Sequence, residues 1–228
     1  MGAEIAFVTA NMGGLDPLFS MPPCPGVDAF YYTDLSEGVP PGWAGIFVGD
    51  GGPRRLLAKR FKCQAHRLAE VQGCRWLAWA DACFEFRSLD FLREWADLAG
   101  DDGARAVFVP HPDRATVAEE YAYVLRQLAA GNKYLGSRYS AEVLRCERAH
   151  FSRTHDLERL RLWAGGLWLF RNVPRTHAFL NAWWDCVLRF SIFDQAAISP
   201  LLADHGIQPI AFNVNLYSNQ HWARRPHP

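Results

Sequence analysis

The chain has 228 residues and a mass of 25.8 kDa, which suits one large α/β domain or two small ones. Half of it is hydrophobic and 21% is charged, which excludes a disordered chain, and this length needs no disulfide or metal staple to bury a core. Lys+Arg and Asp+Glu are 24 each, so the formal charge is zero and binding driven mainly by the phosphate backbone of nucleic acid is excluded.

The first predicted element is a buried strand, Ile5 to Thr9, ending in the turn Asn11-Met-Gly-Gly. Leu18 to Gly26 is Pro-rich loop. Ala29 to Thr33 is a second strand that stops at Asp34. Two prolines between Gly38 and Gly42 precede a short strand, Gly45 to Val48, and Gly49-Asp-Gly-Gly-Pro53 breaks the chain again. A helix then runs from about Arg54 to Val71, with Leu57, Phe61, Ala65 and Leu68 on one face. Lys59, Lys62 and His66 fall within about 60° of each other, opposite that stripe. Arg75 to Ala80 is the most apolar strand and stops abruptly at Asp81. Ala104 to Val109 is the next, closed by Pro110-His-Pro112. Thr116 and Glu119 have capping-box spacing, and Val117, Tyr121, Val124 and Leu128 form the stripe of the helix that follows. Residues 132–160 are charged and partly helical. Gly166 to Phe170 is a strand and Ala178 to Phe190 a helix. Asp194 stands where it would cap a helix from Gln195 to Asp204, Pro209 to Phe212 is the last strand, and the tail 223–228 is expected to fray.

Strands alternating with helices predict α/β architecture with a mostly parallel sheet, here expected as one domain over residues 1–222. Ligands of such sheets sit beyond the carboxyl ends of the strands. The polar strand-end residues Thr9, Asn11, Asp34, Asp81 and His111 are therefore the candidates. The six cysteines form no C-x-x-C pair and read as reduced thiols of a cytoplasmic protein. Met1 to Ala10 lacks a basic start and reads as a strand, not a signal peptide. No apolar run reaches the roughly 18–20 residues of a membrane span, so any membrane contact is expected to be peripheral. Nine tryptophans mark either a large core or flat stacking surfaces, and Trp183 and Trp184 sit on an apolar stripe.

Asp81 at the end of a buried strand suits Mg²⁺ or Mn²⁺, which take oxygen donors, or else caps the turn before Phe84. Cys83 is too soft a ligand for such a cation. Lys59, Lys62 and His66 form either a diphosphate-binding face or a solvated one. His111 and Arg114 lie in a loop, where functional residues gather. The glycines after strand one lack G-x-G-x-x-G spacing, and neither a Walker A sequence nor a G-x-S-x-G elbow occurs, which disfavours dinucleotide, P-loop and α/β-hydrolase sites.

In order, these pieces resemble a glycosyltransferase-like family that was formerly of unknown function, with plant pollen and mucilage members and many bacterial ones. They are Val8 to Asp16, Tyr32-Thr-Asp34, Ala58 to His66, Trp79-Ala-Asp81, Pro110 to Arg114 with Glu119-Glu120, Gly165 to Arg171, Trp183-Trp184 and Phe193-Asp-Gln195. The resemblance covers about Ile5 to Leu202. It implies a GT-A-like Rossmann-type sandwich, a nucleotide-sugar donor, a hydroxyl acceptor on a glycan or polysaccharide precursor, and a divalent metal, Mn²⁺ or Mg²⁺, on an Asp-x-Asp motif. Asp81 matches that motif's first acid, and Cys83 replaces the second. The donor would meet Thr9, Asn11, Asp34, Lys59, Lys62 and His66. Asp194, Gln195 and Glu120 would serve the reaction centre, with His111, Arg114, Gly165 and Gly166 toward the acceptor sugar. Two other classes stay open: a non-catalytic nucleotide-sugar or carbohydrate-binding protein, and a sugar nucleotidyltransferase.

Overall fold

β1 (Ile5–Asn11) is buried at every position, which a strand achieves only where both faces of its sheet are covered. The computed structural model describes residues 3–17, 19–36, 38–49, 52–100 and 103–225. What the sequence suggests for Leu18, Asp50, Gly51 and residues 226–228 lies outside them. β1 pairs in parallel with β2 (Val27–Thr33) and with β4 (Trp76–Ala80), and β2 pairs in parallel with β3 (Ala44–Phe47). Beyond β4 runs β7 (Trp163–Arg171), antiparallel to β4 and to β6 (Arg105–Pro110). β8 (Gln208–Ala211) ends the row parallel to β6. The result is a mostly parallel seven-stranded sheet in the order β3-β2-β1-β4-β7-β6-β8, as expected of an α/β chain. Because β7 runs backward, its first residues lie at the same edge as the last residues of β1, β4 and β6.

One face of the sheet carries α1 (Arg54–Cys63), α3 (Val117–Ala129), α5 (Ala141–Phe151), α6 (Pro174–Arg189) and α7 (Ile198–Asp204), around Phe61, Tyr121, Leu144, Phe179 and Leu201. The other carries α2 (Asp90–Ala99) and a two-stranded ribbon of β5 (Phe84–Phe86) and β9 (Trp222–Arg224). A single turn, α4 (Lys133–Gly136), links α3 to α5. Seven of the nine tryptophans are buried, so these rings are core and not stacking surface.

Several expectations need correction. The helix from Arg54 stops at Cys63, and short 3-10 turns at Ala65–Arg67 and Ala69–Val71 complete the crossing to β4. Those turns bring both Ala65 and Val71 to zero exposure. The helix expected from Gln195 starts at Ile198, and no side chain caps it. The tail does not fray at Ala223. Ala223 and Arg224 pair with Glu85 and Phe84 in β9, and the Arg225 amide donates to Cys83 O at 2.8 Å. The Thr116–Glu119 capping box forms as predicted, with reciprocal bonds of 3.2 and 3.3 Å. All six cysteines are free thiols. Cys146 is exposed, while Cys63, Cys74 and Cys83 are buried. Among the described residues no helix is long and apolar enough to cross a membrane.

Candidate functional site

β1 and β4 end side by side, and beyond their carboxyl ends opens a cleft of about 330 Å³. Asn11 and Trp79 form its floor with Asp81. One flank of α1 supplies a wall, with Arg54, Arg55, Lys59 and Lys62. Tyr134, Arg138 and Tyr139, from the turn before α5, supply another. The α1 wall follows from helix geometry. Leu57 and Phe61 are drawn into the core, and Lys62, next to Phe61, goes down with them to 2% side-chain exposure.

Asp81 is held from three sides. Its amide donates to Gly166 O at 2.8 Å, Trp79 Nε1 donates to its Oδ1 at 2.8 Å, and Lys62 Nζ lies 3.6 Å from the same oxygen. Its other oxygen rests on β7. A Cβ at Gly166 would stand 2.8 Å from Oδ2, so a side chain there would displace the carboxylate. Gly165 is similarly closed in, with Ile198 Cδ1 3.1 Å and Lys62 Nζ 3.6 Å from where its Cβ would be. These two glycines seat the charged cluster from behind the residues that line the cleft.

Lys59 and Lys62 share Asp194. Lys59 Nζ donates to Oδ1 at 2.8 Å, and Lys62 Nζ stands 2.8 Å from Oδ2. Lys62 also lies over the Trp183 ring at 5.4 Å, and Trp183 Nε1 fixes the Asp194 carbonyl at 2.8 Å. Two ammonium groups therefore alternate with two carboxylates, and the cluster is neutral as a whole. Burial favours the protonated form of Asp194, but Lys59 and Lys62 outweigh it and hold the carboxyl below its usual range. Asp81 is likewise lowered: burial opposes ionisation, while Lys62, Lys59 and the Trp79 bond overcome it. Burial disfavours charge on Lys59, yet Asp194 and Asp81 raise its pKa. Asp194 is thus a counter-ion to two lysines and not the helix cap its position suggested.

The remaining candidates sit elsewhere or behind this cluster. Thr9 is buried and its hydroxyl donates to Ala80 O at 2.8 Å, so it ties β1 to β4. Asn11 lines the cleft while its amide bridges the Asp16 backbone in both directions, at 2.9 and 3.2 Å. Asp34 backs Arg54 at 3.1 Å and accepts the Gly13 amide, behind the wall and not in it. His66 is buried outside the cleft and stacks on His177 at 4.9 Å. Burial, then His177 and Arg67, push its pKa down to about 4, which leaves no cation for phosphate.

Arg114, Glu120, Gln195 and Gly165 form a second chain. Arg114 pairs with buried Glu120. Gln195 Nε2 donates to Glu120 Oε1 at 3.2 Å, and its Oε1 accepts the Gly165 amide at 3.2 Å. Burial raises the Glu120 pKa against the pull of Arg114. His111 and Arg114 line a separate groove, where burial, then Arg114, lowers His111 to about 4. Gln195 is the link between this groove and the lysine cluster.

The expected metal does not fit these side chains. Asp81 Oδ1 already carries an indole N–H and faces an ammonium group. Cys83 is fully buried, and burial, then Asp81, push its thiol up to about 12, so it stays protonated. Among the described residues no group of three His, Cys, Asp or Glu is gathered to hold an ion.

Sequence reasoning missed Arg55 and Arg138. The signal for Arg55 was present: Arg55, Lys59 and Lys62 repeat at i, i+4 and i+7 on one helical face. Arg138 carried none, since it comes from the stretch without clear periodicity. Arg224 was assigned to the tail but lies in β9, paired with Phe84.

Fold and site together define an α/β protein with a charged cleft at the carboxyl ends of its parallel strands, the edge at which such sheets take ligands. No family model and no curated protein matches the chain. Among solved structures it is similar to mouse xyloside xylosyltransferase 1, apo form, at 8% identity and a TM-score of 0.45, over 93% of this chain and 85% of that one. A likeness at that level carries no correspondence of residues or reaction.

Proposed function

We propose that the chain is a GT-A-like glycosyltransferase, moving a sugar from a nucleoside-diphosphate donor to a hydroxyl of a glycan or polysaccharide precursor. The observation that carries this reading is the cleft wall itself: Arg55, Lys59 and Arg138 converge on the space beside a strand-end carboxylate, Asp81. A diphosphate is the ligand chemistry that such a wall matches.

In the transfer, the bond from the anomeric carbon to the diphosphate oxygen breaks, and its electron pair leaves with the nucleoside diphosphate. The acceptor oxygen bonds to that carbon, and one proton is released to solvent. Negative charge grows on the leaving diphosphate. Cations fixed beforehand stabilise it, each contact being worth about 3–4 kcal/mol of barrier. Lys59 sits at this position, and Asp194 orients it. Asp194, buried and paired to two ammonium groups, is a weak base, so its role is positioning. Gln195 and Glu120 hold the backbone at Gly165 in the same supporting sense.

Incubation with UDP-, GDP- and dTDP-sugars and glycan acceptors, with released nucleotide measured, tests the reading. Nucleoside diphosphate should appear, and Lys59→Ala should lower its rate about 100-fold or more with folding intact. Binding without turnover would favour the non-catalytic alternative, and release of pyrophosphate would favour the nucleotidyltransferase.

A further inference from the structure

We infer that this cleft handles its diphosphate without a divalent metal: Lys62 fills the cation's place between Asp81 and Asp194, and Arg55, Lys59 and Arg138 meet the phosphates. The inference rests on reading the cleft as the donor site.

Three observations support it. First, Lys62 has 2% side-chain exposure and lies 2.8 Å from one carboxylate and 3.6 Å from the other. An ion brought to Asp81 would meet a positive charge that Asp194 already holds in place. Second, the residue where a second hard ligand belongs is Cys83, a soft sulfur donor with no solvent exposure. Third, the cleft carries cations beyond those the carboxylates neutralise. Among the described residues Arg55 donates to the Ser137 carbonyl, at 3.5 Å, and pairs with no carboxylate. Arg138 lies 3.9 Å over the Tyr134 ring, and its Nε is buried with no hydrogen-bond partner among the described residues. A buried, unpaired guanidinium N–H is costly unless a ligand accepts from it. Guanidinium forks match phosphate oxygens in pairs, which a point charge does not.

The test uses the full chain stripped with chelator. Pyrophosphate, UDP and GDP are titrated calorimetrically in EDTA and again with Mn²⁺, and Mn²⁺ alone is followed by electron paramagnetic resonance. Pyrophosphate and at least one nucleoside diphosphate should bind in EDTA, and Mn²⁺ alone should show no stoichiometric site. Arg55→Gln and Arg138→Gln should each weaken diphosphate binding about tenfold, with circular dichroism unchanged. A one-to-one Mn²⁺ site lost in Asp81→Asn, or diphosphate binding that requires Mn²⁺, overturns the metal-free inference and leaves the donor site standing. No diphosphate binding in either buffer overturns both.

Discussion

Replacing Lys62 by Met removes a charge while nearly keeping its volume, so the change isolates the ion cluster. Lys62 has 2% side-chain exposure and serves two carboxylates, of which Asp194 is at 8%. With the ammonium gone, Asp194 and Asp81 face each other with Lys59 as their remaining nearby lysine. Removing one member of a buried pair costs about 3–5 kcal/mol, because the partner charge stays buried. A chain of this size loses about 2–4 °C of melting temperature per kcal/mol, so Lys62→Met should melt about 6–20 °C lower. The double variant Lys62→Met with Asp194→Asn should recover part of that loss, since Lys59, at 23% exposure, can turn to water. Urea unfolding of wild type, both singles and the double gives the coupling directly, expected at about 1–3 kcal/mol. A single-variant loss below about 1 kcal/mol, the range of surface pairs, together with additive singles would refute the view of Lys62 as a buried keystone.

Three further outcomes follow from the geometry. Gly166→Ala should lower transfer about 100-fold with little change in fold, because its Cβ would stand 2.8 Å from Asp81 Oδ2 and push the carboxylate aside. Gly165→Ala should do less, as its nearest neighbour at 3.1 Å is the movable end of Ile198. Stability should fall on both sides of a maximum near neutrality. Burial, then Asp194, raises Glu147 from 4.5 to about 8, so the unfolded chain ionises it first and stability drops as pH rises through that window. His66 and His111, lowered from 6.5 to about 4, stay neutral when folded, so stability drops as pH falls from 6.5 toward 4. Urea midpoints across pH should show both slopes, and Glu147→Gln should flatten the one above pH 6.5 and steepen the one below it, because its window of 4.5 to about 8 overlaps that of the histidines. Thr116→Ala should cost about 1 kcal/mol through the lost cap and leave diphosphate binding unchanged.

The sheet was legible in the sequence because its strands are apolar runs cut by Gly, Pro or a charge, and each cut marks a strand end. Asp34, Asp81 and His111 were found in this way. α2 was not anticipated, although Phe91, Leu92, Trp95 and Ala99 form its buried stripe. Two short runs, Phe84–Phe86 and Trp222–Arg224, were also missed, since three residues give no period, and their pairing spans most of the chain. Lysine spacing on α1 identified one charged face but could not say that Lys62 is drawn inward beside Phe61. Nor could it show that the helix ends before His66 and turns that ring onto His177. Asp194 read locally as a cap. Its true partners lie more than a hundred residues earlier, and only the packing of α1 against α6 brings them together.

A crystal structure with a bound UDP- or GDP-sugar would show directly where the donor sits. The diphosphate should lie within hydrogen-bond reach of Arg55, Lys59 and Arg138, with the sugar toward Asp81. A donor seated in the His111–Arg114 groove, or one that leaves the cleft above β1 and β4 empty, would contradict it.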